Sequence, residues 1–98
     1  MVTFRFEAVL WEWTSSTSWV FLSLPTDVTD EIRERSTQPR RGFGSIPVAV
    51  SIGDTDWTTS VFPDSSRDTY ILPVKKAVRA KQGLTVGDTA AVVIQVEL

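Results

Sequence analysis

The 98-residue sequence predicts a mainly β domain, a small six-stranded barrel, closed or split, with two short helices. Three observations predict it. Six stretches alternate apolar and polar residues with the two-residue period of a strand. Two Leu-Pro steps, Leu24-Pro25 and Leu72-Pro73, lie 48 positions apart, and each leads into a helical pattern. The order hairpin, helix, strand therefore occurs twice, in pseudo-two-fold halves of about 1–52 and 53–98 of one domain. Closure into a barrel would also remove the edges that an open sheet of six short strands exposes.

The first strand runs from Thr3 to Trp13, with Phe4, Phe6, Ala8 and Leu10 on one face. Thr3, Arg5, Glu7, Val9, Trp11 and Trp13 share the other. The cluster Thr14 to Thr17 is a turn, and Ser18 to Leu24 alternates again. A turn centred near Ser16 sets Trp13 opposite Trp19 and Trp11 opposite Phe21, as cross-strand pairs on one face.

Pro25 ends that strand. Thr26 or Asp27 is the expected cap of a helix reaching about Ser36, with Val28 and Ile32 as its apolar stripe. Its acids come early and its arginines late, which suits the helix dipole. Ser36 to Gly44 reads as a loop. Ile46, Val48, Val50 and Ile52 form the next strand, and Pro47 within it predicts an edge or a bulge.

Gly53 to Asp56 turns the chain into a strand over Trp57 to Phe62, and Pro63 to Asp68 turns it again. Thr69 to Leu72 is a short strand. Pro73 is expected to open a second helix that buries Val74, Ala77 and Val78. Gly83 is its left-handed terminator, with Leu84 making the apolar contact after it. The last strand turns Ala90, Val92, Ile94, Val96 and Leu98 inward.

Composition narrows the chemistry. Hydrophobic residues at 42% and charged residues at 22% are ordinary for a globular domain able to fold unaided. The chain has no cysteine and no histidine. Disulfides, thiol nucleophiles, Cys/His zinc sites and histidine-based triads are thereby excluded. No apolar run is long enough to span a bilayer. The segment MVTFRFEAVLWEW carries charges inside its apolar part, unlike a signal peptide, so a cytoplasmic protein is expected. A net charge of −2 disfavours a general grip on nucleic acid while allowing a local basic face.

The segment YILPVKKAVRAKQGLTVGDTAAVVIQVEL resembles the strand–Pro–helix–Gly-Leu–x–x–Gly-Asp–strand unit of AbrB/MazE swapped-hairpin barrels, which are dimeric bacterial DNA-binding domains. The segments WVFLSLPTDV, GFGSIPV, WTTSVFP, YILPVKKAVR and GLTVGD together resemble more closely a bacterial small-barrel domain of unknown function. That domain sometimes precedes a bacteriocin-protection (YdeI/OmpD-associated) domain. The resemblance implies a double-split β-barrel in one chain, hence a monomer, and brings no catalytic residues with it. The swapped-hairpin analogy departs from this chain in charge. Through Pro39 there are three basic residues against six acidic ones, a poor basis for a symmetric DNA reader.

Two candidate sites follow. Trp11, Trp13, Trp19 and Phe21 carry more apolar area than one face can leave bare. Either a helix or strand covers them as core, or they form an aromatic site for a protein or small-molecule ligand. Trp57 fits either version. The second candidate is basic. Arg40 and Arg41 precede Phe43 between glycines, and Lys75, Lys76 and Arg79 lie off the stripe of the second helix. They form either solvated faces or, if they converge, a barrel end for a phosphate or a nucleic acid. Asp54, Asp56, Asp64 and Asp68 read as turn formers rather than metal ligands. Ser65 and Ser66 read likewise, rather than as partners of Lys75. No metal and no cofactor is expected. The resulting expectation is a non-catalytic binding or interaction domain, with nucleic-acid or phosphate binding as the alternative.

Overall fold

The computed structural model describes residues 1–13, 19–36 and 44–98. Its elements are β1 (Val2–Glu12), β2 (Val20–Ser23), α1 (Thr26–Arg35), β3 (Ile46–Ile52), β4 (Thr55–Asp64), β5 (Thr69–Pro73), α2 (Lys76–Gln82) and β6 (Thr89–Val96). The strands close into a barrel in the order β1-β2-β5-β4-β3-β6, and every pairing is antiparallel.

Two long strands change partner partway, and this splits the barrel. β1 pairs with β6 over Val2 to Val9 and with β2 from Leu10 onward. β4 pairs with β3 over Thr55 to Val61 and with β5 from Phe62 onward. Exchanging β1 with β4, β2 with β5 and β3 with β6 swaps β1–β2 with β4–β5 and β1–β6 with β3–β4, and leaves β2–β5 and β3–β6 as they are. The six-stranded barrel thus has the connectivity of two interlocked copies of one unit.

Leu22 faces Leu72 at the centre of the β2–β5 contact, and both are fully buried. The Leu24 N–H donates to the Tyr70 carbonyl, and the Val74 N–H donates to the Val20 carbonyl, each at 2.9 Å. These bonds are images of each other. They make Pro25 equivalent to Lys75, the N-cap residues of the two helices, and not to Pro73. The matching Leu-Pro steps are therefore out of structural register. Pro73 ends β5 opposite Phe21, where an edge position tolerates its missing N–H, and α2 starts only at Lys76.

The interior is built as the alternation predicts. Phe4, Leu10, Val20, Leu22, Ile46, Val48, Val50, Ile52, Val61, Val92, Ile94 and Val96 are buried in one core. Helix α1 adds Val28 and Ile32, and Val74 and Val78 cover the other side. Ala77 is exposed, because α2 is too short to bury more than one line of residues. Leu98 is also exposed and lies beyond the end of β6.

The local devices differ in part from expectation. Gly83 takes φ 63°, and the Leu84 N–H reaches back to the Arg79 carbonyl at 2.8 Å, a Schellman-type ending. Pro47 lies where β3 runs past the β3–β6 pairing, so no ladder bond is lost. The N-cap of α1 is Pro25, without a side-chain cap; Asp27 sits in the first turn, and its Oδ1 accepts from the Val28 N–H at 3.0 Å. Thr29 is fully buried, and its Oγ1 accepts from the Tyr70 N–H at 3.3 Å. Both backbone groups of Tyr70 thus point toward β2 and α1. Pro63, opposite Tyr70 in β4, has no bond to supply. Among the described residues, no helix is long and apolar enough to cross a membrane.

Candidate functional site

The aromatic register is the one expected from sequence, while the expected turn at Thr14 to Thr17 lies outside the described residues. Trp11 pairs with Phe21, and the Trp13 N–H donates to the Trp19 carbonyl at 3.0 Å. Inward residues alternate with these, so all four rings stand on the outer face of the barrel. Phe21 is their hub. Its centroid is 5.2 Å from Trp11, 5.7 Å from Trp13 and 6.1 Å from Trp19, and the Trp19 plane is tilted by only 13°. Among the described residues, no helix covers the group. Trp19 is 56% exposed and Trp13 38% exposed, while Trp11 and Phe21 are half-buried. The rings form an open shelf, not core.

One end of the shelf is closed by a cation that sequence reasoning missed. The Arg67 guanidinium lies 3.6 Å from the Trp11 ring centroid and 5.9 Å from that of Trp13. Its Nη1 donates to Asp64 Oδ2 at 2.8 Å. Asp64 Oδ1 accepts from the Ser66 N–H and hydroxyl at 3.0 and 2.7 Å. Burial pushes the Asp64 carboxyl up, but the bonds from Ser66 and Arg67, with the Arg67 charge, hold it below its ordinary value. Trp11 is fixed beneath the guanidinium by its indole N–H, which donates to Ser23 Oγ at 3.0 Å. The only sequence signal for Arg67 was its place three residues after Asp64 in a turn. Nothing local links it to Trp11.

At its other end the shelf runs into a groove of about 770 Å³, a size that accommodates a small ligand. Trp19, Trp57 and Pro73 line its apolar side, and Lys75, Lys76 and Arg79 its basic side. The groove sits where β4 parts from β5, with α2 packed against β4. Trp57 projects from β4 opposite Val50, on the inward-facing register of the strand, and so reaches the floor of this opening. Arg79 is held in place by its Nε, which donates to the Val74 carbonyl at 3.0 Å. Lys75 and Lys76 are exposed and form no ion pair with any described residue. No carboxylate lies among the described residues that line the groove.

The structure thus brings Lys75, Lys76 and Arg79 to Trp19, one of the four aromatic candidates. Arg40, Arg41 and Phe43 lie outside the described residues. The aspartates of the turns go to separate partners. Asp54 accepts from Gln82 at 2.7 Å, Asp64 from Arg67, and Asp68 from Arg33 at 3.2 Å.

No curated protein matches the chain. A family model, that of a domain of unknown function (DUF1905), matches residues 6–94, from the middle of β1 into β6. That span takes in the points at which both long strands change partners, both helices, the shelf and the groove. The chain belongs to the DUF1905 family of domains of unknown function.

Proposed function

We propose that this is a non-catalytic binding domain whose groove takes a small ligand carrying both an anionic group and a flat apolar part. The observation that supports it is the meeting of Trp19, Trp57 and Pro73 with Lys75, Lys76 and Arg79 around one opening. Lys75 and Lys76 form no ion pair among the described residues, so there an incoming anion displaces no carboxylate. A chain without cysteine or histidine also lacks the commonest acid, base and nucleophile pairs. The domain is read as a monomer, since one chain supplies all six strands of the closed barrel; a cytosolic location is proposed from the charges inside the apolar part of MVTFRFEAVLWEW, unlike a signal peptide.

Calorimetric titration of adenosine monophosphate against adenosine tests this reading. The monophosphate is expected to bind measurably more tightly, and the difference is expected to vanish in a Lys75→Ala, Lys76→Ala double variant. Both lysines are exposed, so that variant keeps the fold. Equal binding of the two compounds, or binding of neither, overturns the reading.

A further inference from the structure

We propose that the groove and the aromatic shelf together form one track for single-stranded nucleic acid. This rests on the groove reading above and extends it. Trp19 belongs to both features, lining the groove while stacking on Phe21. Trp11, Phe21 and Pro73 occupy matched positions on three adjacent strands, so the track crosses about 10 Å of barrel surface. It is flanked by cations at both ends, Lys75 and Lys76 in the groove and Arg67 over Trp11.

Ring faces between flanking cations match a single strand. Unpaired bases stack on exposed indoles while the backbone phosphates meet ammonium and guanidinium groups. A duplex hides its base faces and offers nothing to Trp13 and Trp19. The net charge of −2 also opposes a long polyanion gripped by charge alone. Arg67 remains available despite its ion pair. It uses Nη1 for Asp64, while its Nε and Nη2 have no partner among the described residues.

Calorimetry with oligothymidylates, from mononucleotide to octamer, tests the track. Affinity is expected to rise about tenfold or more between mononucleotide and tetranucleotide, as one more base finds a ring. With four cations engaged, the logarithmic salt slope for the octamer is expected near about −3. Arg67→Ala is expected to shrink that slope by about 0.7 and to remove most of the length gain, and Arg67→Lys to restore the slope. Trp19→Ala, at a largely exposed position, is expected to weaken octamer binding about tenfold. A bound mononucleotide with no length gain overturns the track and leaves the groove reading standing. Absence of binding at every length overturns the track, and the adenosine monophosphate titration then decides the groove reading by itself. Polyglutamate of equal length binding as tightly would show that charge alone is read, and overturns the assignment to nucleic acid.

Discussion

The Arg67 guanidinium lies 3.6 Å from the ring centroid of Trp11 while its Nη1 holds Asp64 at 2.8 Å. A residue of the β4–β5 turn is thereby tied to the far side of β2. Arg67→Ala is expected to cost about 1 kcal/mol, combining an exposed cation–π contact with a partly exposed ion pair. For a domain this size that lowers Tm by about 4–8 °C. Tryptophan emission should shift to the red as Trp11 gains water. An unchanged emission spectrum and melting curve would show that Arg67 only rests on the ring.

Asp64 makes the acid limb of stability specific. Its carboxyl is held below its ordinary value in the folded chain, so the unfolded chain binds the proton more readily. The stabilisation is fully present above the unfolded value of about 3.9 and is lost as pH falls through the lower folded value. Asp64→Asn should therefore destabilise the domain near neutrality. The gap between variant and parent should close as acid protonates the carboxylate. Urea denaturation across that pH window measures both curves, and parallel curves would remove Asp64 from the account.

Thr29 supplies an acceptor inside the protein. Thr29→Val keeps the volume and removes the oxygen that receives the Tyr70 N–H. An unpaired buried amide costs about 1–3 kcal/mol. Thr29→Ser should restore most of that loss, and hydrogen exchange at the Tyr70 amide should quicken in the valine variant alone. No change in exchange would mean that the amide bonds elsewhere.

Gly53 turns β3 into β4 with φ 59°, the left-handed region required at the first central position of a tight hairpin. A Cβ there would collide with the Gln82 side chain, which bonds Asp54 and Thr55 at 2.7 Å. Gly53→Ala is expected to cost more than about 1 kcal/mol. Part of the cost should disappear when Gln82 is also replaced by Ala, leaving only the backbone share. Additive losses in that double-mutant cycle would contradict the collision.

Much of the barrel was legible along the chain. The alternation of Ile46 to Ile52 and of Ala90 to Val96 named the inward residues, because a strand's side chains obey a period of two whatever their neighbours are. The pairing of Trp11 with Phe21 followed from turn length, and the ending at Gly83 from its conformational freedom. These are local rules, and they act over a few residues. Only the tertiary structure decided that α2 starts at Lys76 rather than Pro73, because β5 extends to meet Phe21 across a long-range pairing. It alone left the aromatic shelf open, brought Trp19 beside Lys75 and Lys76, laid Arg67 over Trp11, and turned Thr29 inward to Tyr70. Each of these joins residues far apart in sequence. Such contacts depend on which strands pair to close the barrel, and that choice is set by the summed burial of the whole core rather than by any local pattern.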